Sequence, residues 1–228
     1  MLRTAKKAFF KLVHMNPWVD RFVRYRNPHD YWRKRGGETY FGEQEAVCER
    51  TLRSDYIADR MKKYSHASLL EIGCGYGKQL KNLYLPGLML AGCDYSRPQI
   101  LKAKEYFPQV APYLVEADAA SIPFASKSFD AVFSSAVILH NHYKKAQSIL
   151  AEMIRISRRY LVHNEDTDIT FSRFGYDMKK TYEKLNFRVL ESGPIPCEIN
   201  PSATQFTVVE IPSTPLVLNP QEIPLQYH

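Results

Sequence analysis

A glycine-rich turn and two later carboxylates are the residues of this sequence best placed to do chemistry. Glu71-Ile72-Gly73-Cys74-Gly75-Tyr76-Gly77 follows a short apolar stretch, and Asp94 stands 21 residues after Gly73. Glycines there let the chain turn tightly and let a ligand approach the backbone. An acid at the end of the next strand can accept hydrogen bonds from ribose hydroxyls. Together they predict a nucleoside site. The spacing G-x-G-x-G is one residue shorter than the dinucleotide fingerprint, and a second acid, Asp118, follows the third apolar stretch. Both features point away from NAD. A plain tight turn with a surface Asp94 is the alternative, and it leaves the register of turn and acid unexplained.

Such a site needs strands that end beside it. Short apolar runs predict strands at 68–72, 88–93, 113–116, 129–133, 160–163 and 187–190, and alternation predicts a last one over 204–211. Helical patterns lie between them, from 78, at 97–106, at 144–158 and at 177–185. Strands alternating with helices predict an α/β fold, a doubly wound, mostly parallel seven-stranded Rossmann-like sheet with helices on both faces. One long amphipathic helix is expected over 43–64. Basic helical pieces are expected at 2–15, 18–26 and 29–35, separated by Asn16-Pro17 and Asn27-Pro28 and ended by Gly36-Gly37.

The chain of 228 residues suits one domain with appendages, and 45% hydrophobic with 24% charged residues excludes a disordered, collagen-like or coiled-coil chain. No apolar run is long enough to span a bilayer. Cys48, Cys74, Cys93 and Cys197 are scattered, which argues against a zinc ribbon or a disulfide framework and suits a reducing compartment. No metal site is expected.

From residue 68 to 163 the chain resembles the class I S-adenosylmethionine-dependent methyltransferases, in particular a small-molecule, type 11-like branch. The residues that carry the resemblance are Leu69-Leu70-Glu71-Ile72-Gly73-Cys74-Gly75-Tyr76-Gly77, Gly92-Cys93-Asp94-Tyr95-Ser96, Glu116-Ala117-Asp118-Ala119, Ile122-Pro123-Phe124 and Ser128-Phe129-Asp130-Ala131-Val132-Phe133-Ser134-Ser135. The resemblance implies S-adenosylmethionine as cofactor. Gly73 and Gly75 would lie against its methionine part, with Gly77 completing the turn. Asp94 would bind the ribose and Tyr95 would lie beside the adenine. Asp118 would accept from the adenine amino group with help from the Ala119 backbone. Ser135 would stand where methionine end and acceptor meet, and Asp130 would order its strand.

Methyl transfer asks the protein mainly for orientation, and an acceptor that must lose a proton can use a general base, for which His is suited near neutral pH. By the same resemblance His140 faces the acceptor, partnered by Tyr31 or Tyr40; a His that only packs the loop is the alternative. Segment 31–41 looks like an N-terminal lid, in which Trp32 would cover the cofactor and Arg35 would meet its carboxylate; a helix packed on the sheet edge is the other reading. His163-Asn164-Glu165-Asp166 and Phe171-Ser172-Arg173-Phe174-Gly175-Tyr176 are expected as an insertion over the strand ends. It resembles stretches of glycan-modifying methyltransferases, with Arg173 either an anchor for an acceptor phosphate or carboxylate or a solvated loop residue. Phe133-Ser134-Ser135-Ala136 lacks the Asn/Asp-Pro-Pro-Tyr/Phe motif, which disfavours nucleic acid as the acceptor.

Charge is unevenly placed. Residues 1–35 hold ten Lys/Arg and two acids, a net +8, and the rest of the chain is −1. A basic head can meet an anionic surface; it can equally be a solubilising segment. Its lack of acids up to residue 19 also suits a mitochondrial transit peptide. The expected organisation is a basic segment and lid at 1–42, a cofactor-binding methyltransferase domain at 43–211, and a Pro-rich tail at 212–228 forming an irregular strap or left disordered. The expected function is methylation of a small molecule, with a sugar or glycan precursor favoured, in the cytoplasm, with peripheral contact to an anionic membrane through residues 1–35. A non-catalytic cofactor-binding protein associated with membrane or nucleic acid, and an NAD-dependent oxidoreductase, stay open as alternatives.

Overall fold

The computed structural model describes residues 5, 8, 9, 12, 32–33, 37–46, 48–64, 66–170, 173–196, 204–213 and 218–227. Seven strands form one sheet: β1 Ser68–Ile72, β2 Met89–Asp94, β3 Leu114–Glu116, β4 Phe129–Ser135, β5 Ser157–Asp166, β6 Arg188–Pro194 and β7 Thr204–Glu210. Their order is β3-β2-β1-β4-β5-β7-β6. The first five run parallel, and β7 lies antiparallel between β5 and β6. That inserted strand departs from the dinucleotide order 3-2-1-4-5-6. The described helices are α1 Gly37–Glu45, α2 Cys48–Met61, α3 Lys78–Leu83, α4 Arg97–Tyr106, α5 Tyr143–Ile156 and α6 Met178–Lys184.

Strand alternation builds a core on each face. Leu70, Ile72, Val132, Leu161 and Val209 point to one side, against Ile149, Leu150 and Met153 of α5 and Tyr182 of α6. Leu69, Ala131, Phe133, Val162 and Val208 point to the other, against Ile57 and Met61 of α2, Leu80 of α3 and Ile100 of α4. Burial on both faces explains why these strands read as continuous apolar runs.

Three sequence expectations change. The helix over 43–64 is two helices, α1 and α2. A straight helix of that length would run about 33 Å, whereas here α1 lays Phe41 edge-on against Tyr76 and Tyr106, and α2 packs Ile57 on the sheet. Gly37 opens α1, and residues 34–36, where the preceding helix is expected to end, lie outside the described residues. The helix expected to reach 158 stops at Ile156, because Ser157 already begins β5. Asn164 to Asp166 continue β5 rather than opening an insertion, because β7 pairs with them through Asp166↔Thr204. The strap reading of the tail holds where it is described: Ile223 and Leu225 are buried in the α5 core, and Gln147 Nε2 donates to the Ile223 carbonyl at 2.8 Å.

Candidate active site

Parallel strands aim their carboxyl ends at one edge of the sheet, and there the chain forms a cleft of about 480 Å³. Gly73 shows why the turn after β1 needs glycine. Its φ is +65°, and a Cβ would stand 2.3 Å from Val137 Cγ2, on the turn that follows β4. Gly73→Ala is therefore expected to cost about 1–3 kcal/mol from backbone strain and overpacking, measured as a lower midpoint of thermal unfolding. Gly77 is absent from the cleft wall; its φ of +83° is a backbone conformation that favours glycine, and a Cβ there would meet Ala103 of α4 at 3.5 Å, an ordinary contact.

Asp94, at the end of β2, ties the turn to the next loop. One carboxylate oxygen accepts from Gly75 N at 3.0 Å and the other from Ser96 N at 2.8 Å. Burial pushes its carboxyl up to about 6, partly opposed by those two amides. Asp118 follows β3. Lys145 of α5 pairs with it, and Ala120 N donates to it at 2.9 Å. Its loop is clamped from α5: Arg155 donates to the carbonyls of Phe124 at 2.8 Å and Ile122 at 3.1 Å, and Glu152 accepts from Ile122 N at 2.8 Å.

Tyr95, Ala119 and Ser135 line the same cleft, and so do Trp32 and His140. Ser135 Oγ accepts from Asn164 Nδ2 at 2.7 Å. His140 ends a 3-10 turn, Ile138–His140. Its ring lies 5.3 Å from Trp32, and Trp32 lies 6.1 Å from Tyr40. The aromatic next to His140 is thus Trp32, with Tyr40 edge-on behind it. Tyr31 and Arg35, the other two residues assigned to the lid, lie outside the described residues.

The expected insertion divides. Arg173 reaches the cleft wall and pairs with Asp166, which also accepts from Thr204 Oγ1 at 2.6 Å. Phe174 and Tyr176 turn inward, stacked at 5.8 Å and buried, and His163 is buried inside the sheet. These three are core residues rather than cover for the strand ends.

Sequence reasoning missed Arg53 and Ser54 of α2, Lys78 and Gln79 of α3, and Lys145, which the fold brings to the cleft. Their helices read as ordinary amphipathic segments, so no local signal marks them. It also assigned nothing to Glu71, Ser96 and Gln99. Glu71 Oε2, Ser96 Oγ and Gln99 Oε1 are buried without a hydrogen-bond partner among the described residues, and all three residues line the cleft. Burial, with Asp94 beside it, holds the Glu71 carboxyl well above the usual carboxylate range. Buried polar atoms are seldom left unsatisfied. Three acceptor-capable groups around one glycine turn fit a ligand that brings donors, such as the ammonium and hydroxyls of an amino-acid nucleoside.

The seven-stranded, mostly parallel sheet is the Rossmann-like fold of the class I methyltransferases. Residues 70–160 match the family model described as methyltransferase domain, so this part of the chain is a methyltransferase domain, and its cofactor is S-adenosylmethionine. The chain is 32% identical over 90 residues to a demethylmenaquinone methyltransferase of Beutenbergia cavernae, a match covering 40% of this chain and 36% of that protein. The chain thus spans about a third of that relative. Among solved structures, phosphoethanolamine N-methyltransferase 1 of Haemonchus contortus, in complex with phosphoethanolamine and S-adenosylhomocysteine, superposes with a TM-score of 0.66 at 17% identity, over 92% of this chain and 53% of that one. The PH0226 protein of Pyrococcus horikoshii OT3 superposes with a TM-score of 0.58 at 21% identity, over 72% and 91%. These likenesses support the fold. The family match favours methyl transfer over the NAD-dependent alternative.

Proposed function

We propose that the whole chain is an S-adenosylmethionine-dependent methyltransferase acting on a small molecule. The observation that carries this reading is the cleft itself: the Gly73 turn, Asp94, Asp118 and three unsatisfied polar groups share it with His140. Gly73 and Gly75 give the methionine part room, and Glu71 faces its ammonium. Asp94 takes the ribose hydroxyls, and Asp118 with the Ala119 backbone takes the adenine edge beside Tyr95. Trp32 covers the site. When bound, the cofactor supplies a methyl group on a sulfonium. His140 would accept the proton that the acceptor gives up on methylation.

The acceptor is proposed to be a sugar or glycan precursor carrying a phosphate or carboxylate. Arg173 supports this, because Asp166 holds its guanidinium at the cleft wall while the side chain stays 45% exposed. A guanidinium keeps further donors for a second anion. The test is calorimetric titration with S-adenosylhomocysteine, followed by transfer of labelled methyl to small molecules extracted from cells. A protein that does not bind the nucleoside would sink the reading; label appearing only in uncharged acceptors would sink the anion assignment.

We also propose that the basic head rests on an anionic membrane surface. Ala5, Ala8, Phe9 and Leu12 are helical and share one face by spacing, and Phe9 and Leu12 are 55% and 68% exposed. Lys6, Lys7 and Lys11 flank that face in sequence. Among the described residues no helix is long and apolar enough to cross a membrane. Full-length protein should sediment with phosphatidylglycerol vesicles at low salt and less so at physiological salt, where screening acts within about 8 Å. Combining Lys6→Gln, Lys7→Gln and Lys11→Gln should weaken that binding by on the order of 100-fold, at about 1 kcal/mol per charge. Equal sedimentation with neutral vesicles would leave the head a plain surface segment.

A further inference from the structure

Beyond β4 the chain must leave the sheet and reach α5 within a few residues, and this turn touches both halves of the cleft. Val137 lies over Gly73, and His140 lines the cleft. The turn starts from an unfavourable conformation, with Ala136 at φ +55°, a region that residues with a Cβ rarely adopt. Something must hold it there. Ala136 N donates to the Asn164 carbonyl at 2.9 Å. The next three amides all go to one side chain: Val137 N and Ile138 N reach Glu165 Oε1, and Leu139 N reaches Oε2, each at 3.2 Å.

Ser134 Oγ also donates to Glu165 Oε1, at 2.9 Å. Its proton is therefore committed, so in the contact between Ser134 Oγ and His163 Nδ1, at 2.9 Å, the imidazole donates. His163 Nε2 is then the acceptor for the Tyr182 hydroxyl at 2.9 Å. The result is a buried chain with a single direction, Tyr182 to His163 to Ser134 to Glu165. Burial drives His163 down to about 3, which keeps it neutral as this chain requires. Burial also raises the Glu165 carboxyl to about 7, and its amide and hydroxyl donors act against that rise. The donors converge on a carboxylate that supplies acceptor sites only, an arrangement a neutral side chain of equal shape cannot reproduce.

We infer that Glu165 is a positioning residue for the active site: by gathering the amides of Val137, Ile138 and Leu139 it sets the turn that seats Val137 against the glycine loop and presents His140 to the acceptor. This rests on the methyltransferase reading for what the turn serves, but not for how it is held.

The test uses full-length protein and the isosteric Glu165→Gln, with Ser134→Ala as a second variant. Peptide-resolved amide hydrogen exchange and S-adenosylhomocysteine calorimetry are the readouts. The Gln side chain replaces one acceptor oxygen with an NH₂ group, so the amides of 137–139 should exchange roughly tenfold faster, with β1 unchanged. Nucleoside affinity should fall about fivefold through Val137 and Gly73. Ser134→Ala keeps the carboxylate and should leave exchange of 137–139 within about twofold. If Glu165→Gln exchanges like the wild type, the side chain only fills space and the inference is overturned. Faster exchange with unchanged affinity would overturn it too, because the turn would then not serve the site. Should Glu165→Gln fail to fold, the wild type still decides: bound nucleoside must slow exchange at 137–139, and no slowing refutes the coupling. Wild-type protein that binds no nucleoside would refute the functional reading instead, while exchange in the variants would still show whether Glu165 orders the turn.

Discussion

Replacing His140 with Asn is expected to slow methyl transfer by roughly 10²–10⁴ and to leave S-adenosylhomocysteine affinity within about twofold. The reason is positional. The residues proposed to hold the nucleoside sit on the ends of β1, β2 and β3, whereas His140 comes from the turn after β4 and packs on Trp32 at 5.3 Å. An Asn side chain can occupy that place and donate a hydrogen bond, but it cannot take a proton from an acceptor hydroxyl or amine. The wild-type rate should carry an acid limb that the variant lacks. Initial rates across pH with an identified acceptor measure both effects. Wild-type turnover in the variant would reduce His140 to a packing residue and leave proximity as the main catalytic device.

Asp94→Ala is expected to weaken S-adenosylhomocysteine by about 10–100-fold, since each hydrogen bond to a charged group is worth roughly 1.5–3 kcal/mol. The loss has two sources: the ribose diol loses its acceptor, and Gly75 N and Ser96 N lose theirs. Binding should also depend on pH. Burial raises Asp94 from 3.8 to about 6, so the folded protein takes up this proton more readily than the unfolded chain. Its contribution to stability is fully present below 3.8 and is lost as pH rises through about 6. Ligand hydroxyls favour the opposite, ionised form. Nucleoside affinity should therefore rise as pH passes through about 6, with proton release on binding, and Asp94→Asn should flatten that dependence. Calorimetry in buffers of different ionisation enthalpy checks it. Unchanged affinity in Asp94→Ala, with circular dichroism intact, would sink the assignment of this residue.

The local sequence determined a good deal. The strand 68–72, the turn after it and Asp94 were legible because a buried parallel strand is a short apolar run and the turn is marked by glycine. From these came the doubly wound sheet, and with the motif resemblance came part of the cleft wall: Gly73, Gly75, Asp94, Tyr95, Asp118, Ala119, Ser135, Trp32 and His140. What failed to show were features whose cause lies far along the chain. Asn164 to Asp166 read as a polar loop after the strand that ends at His163, yet they are strand and nearly fully buried. Polar residues enter a core only when partners satisfy them, and here the partners are Ser134, Thr204 and the amides of 137–139. Phe174 and Tyr176 read as exposed loop aromatics until the strap at 223–227 closes over that core. Arg53, Lys78 and Lys145 look like ordinary charged helix positions, and only the packing of α2, α3 and α5 around the sheet directs them to one cleft. Periodicity and turn chemistry act over a few residues and so can be read locally, whereas burial of a polar group depends on partners that only the folded chain brings together.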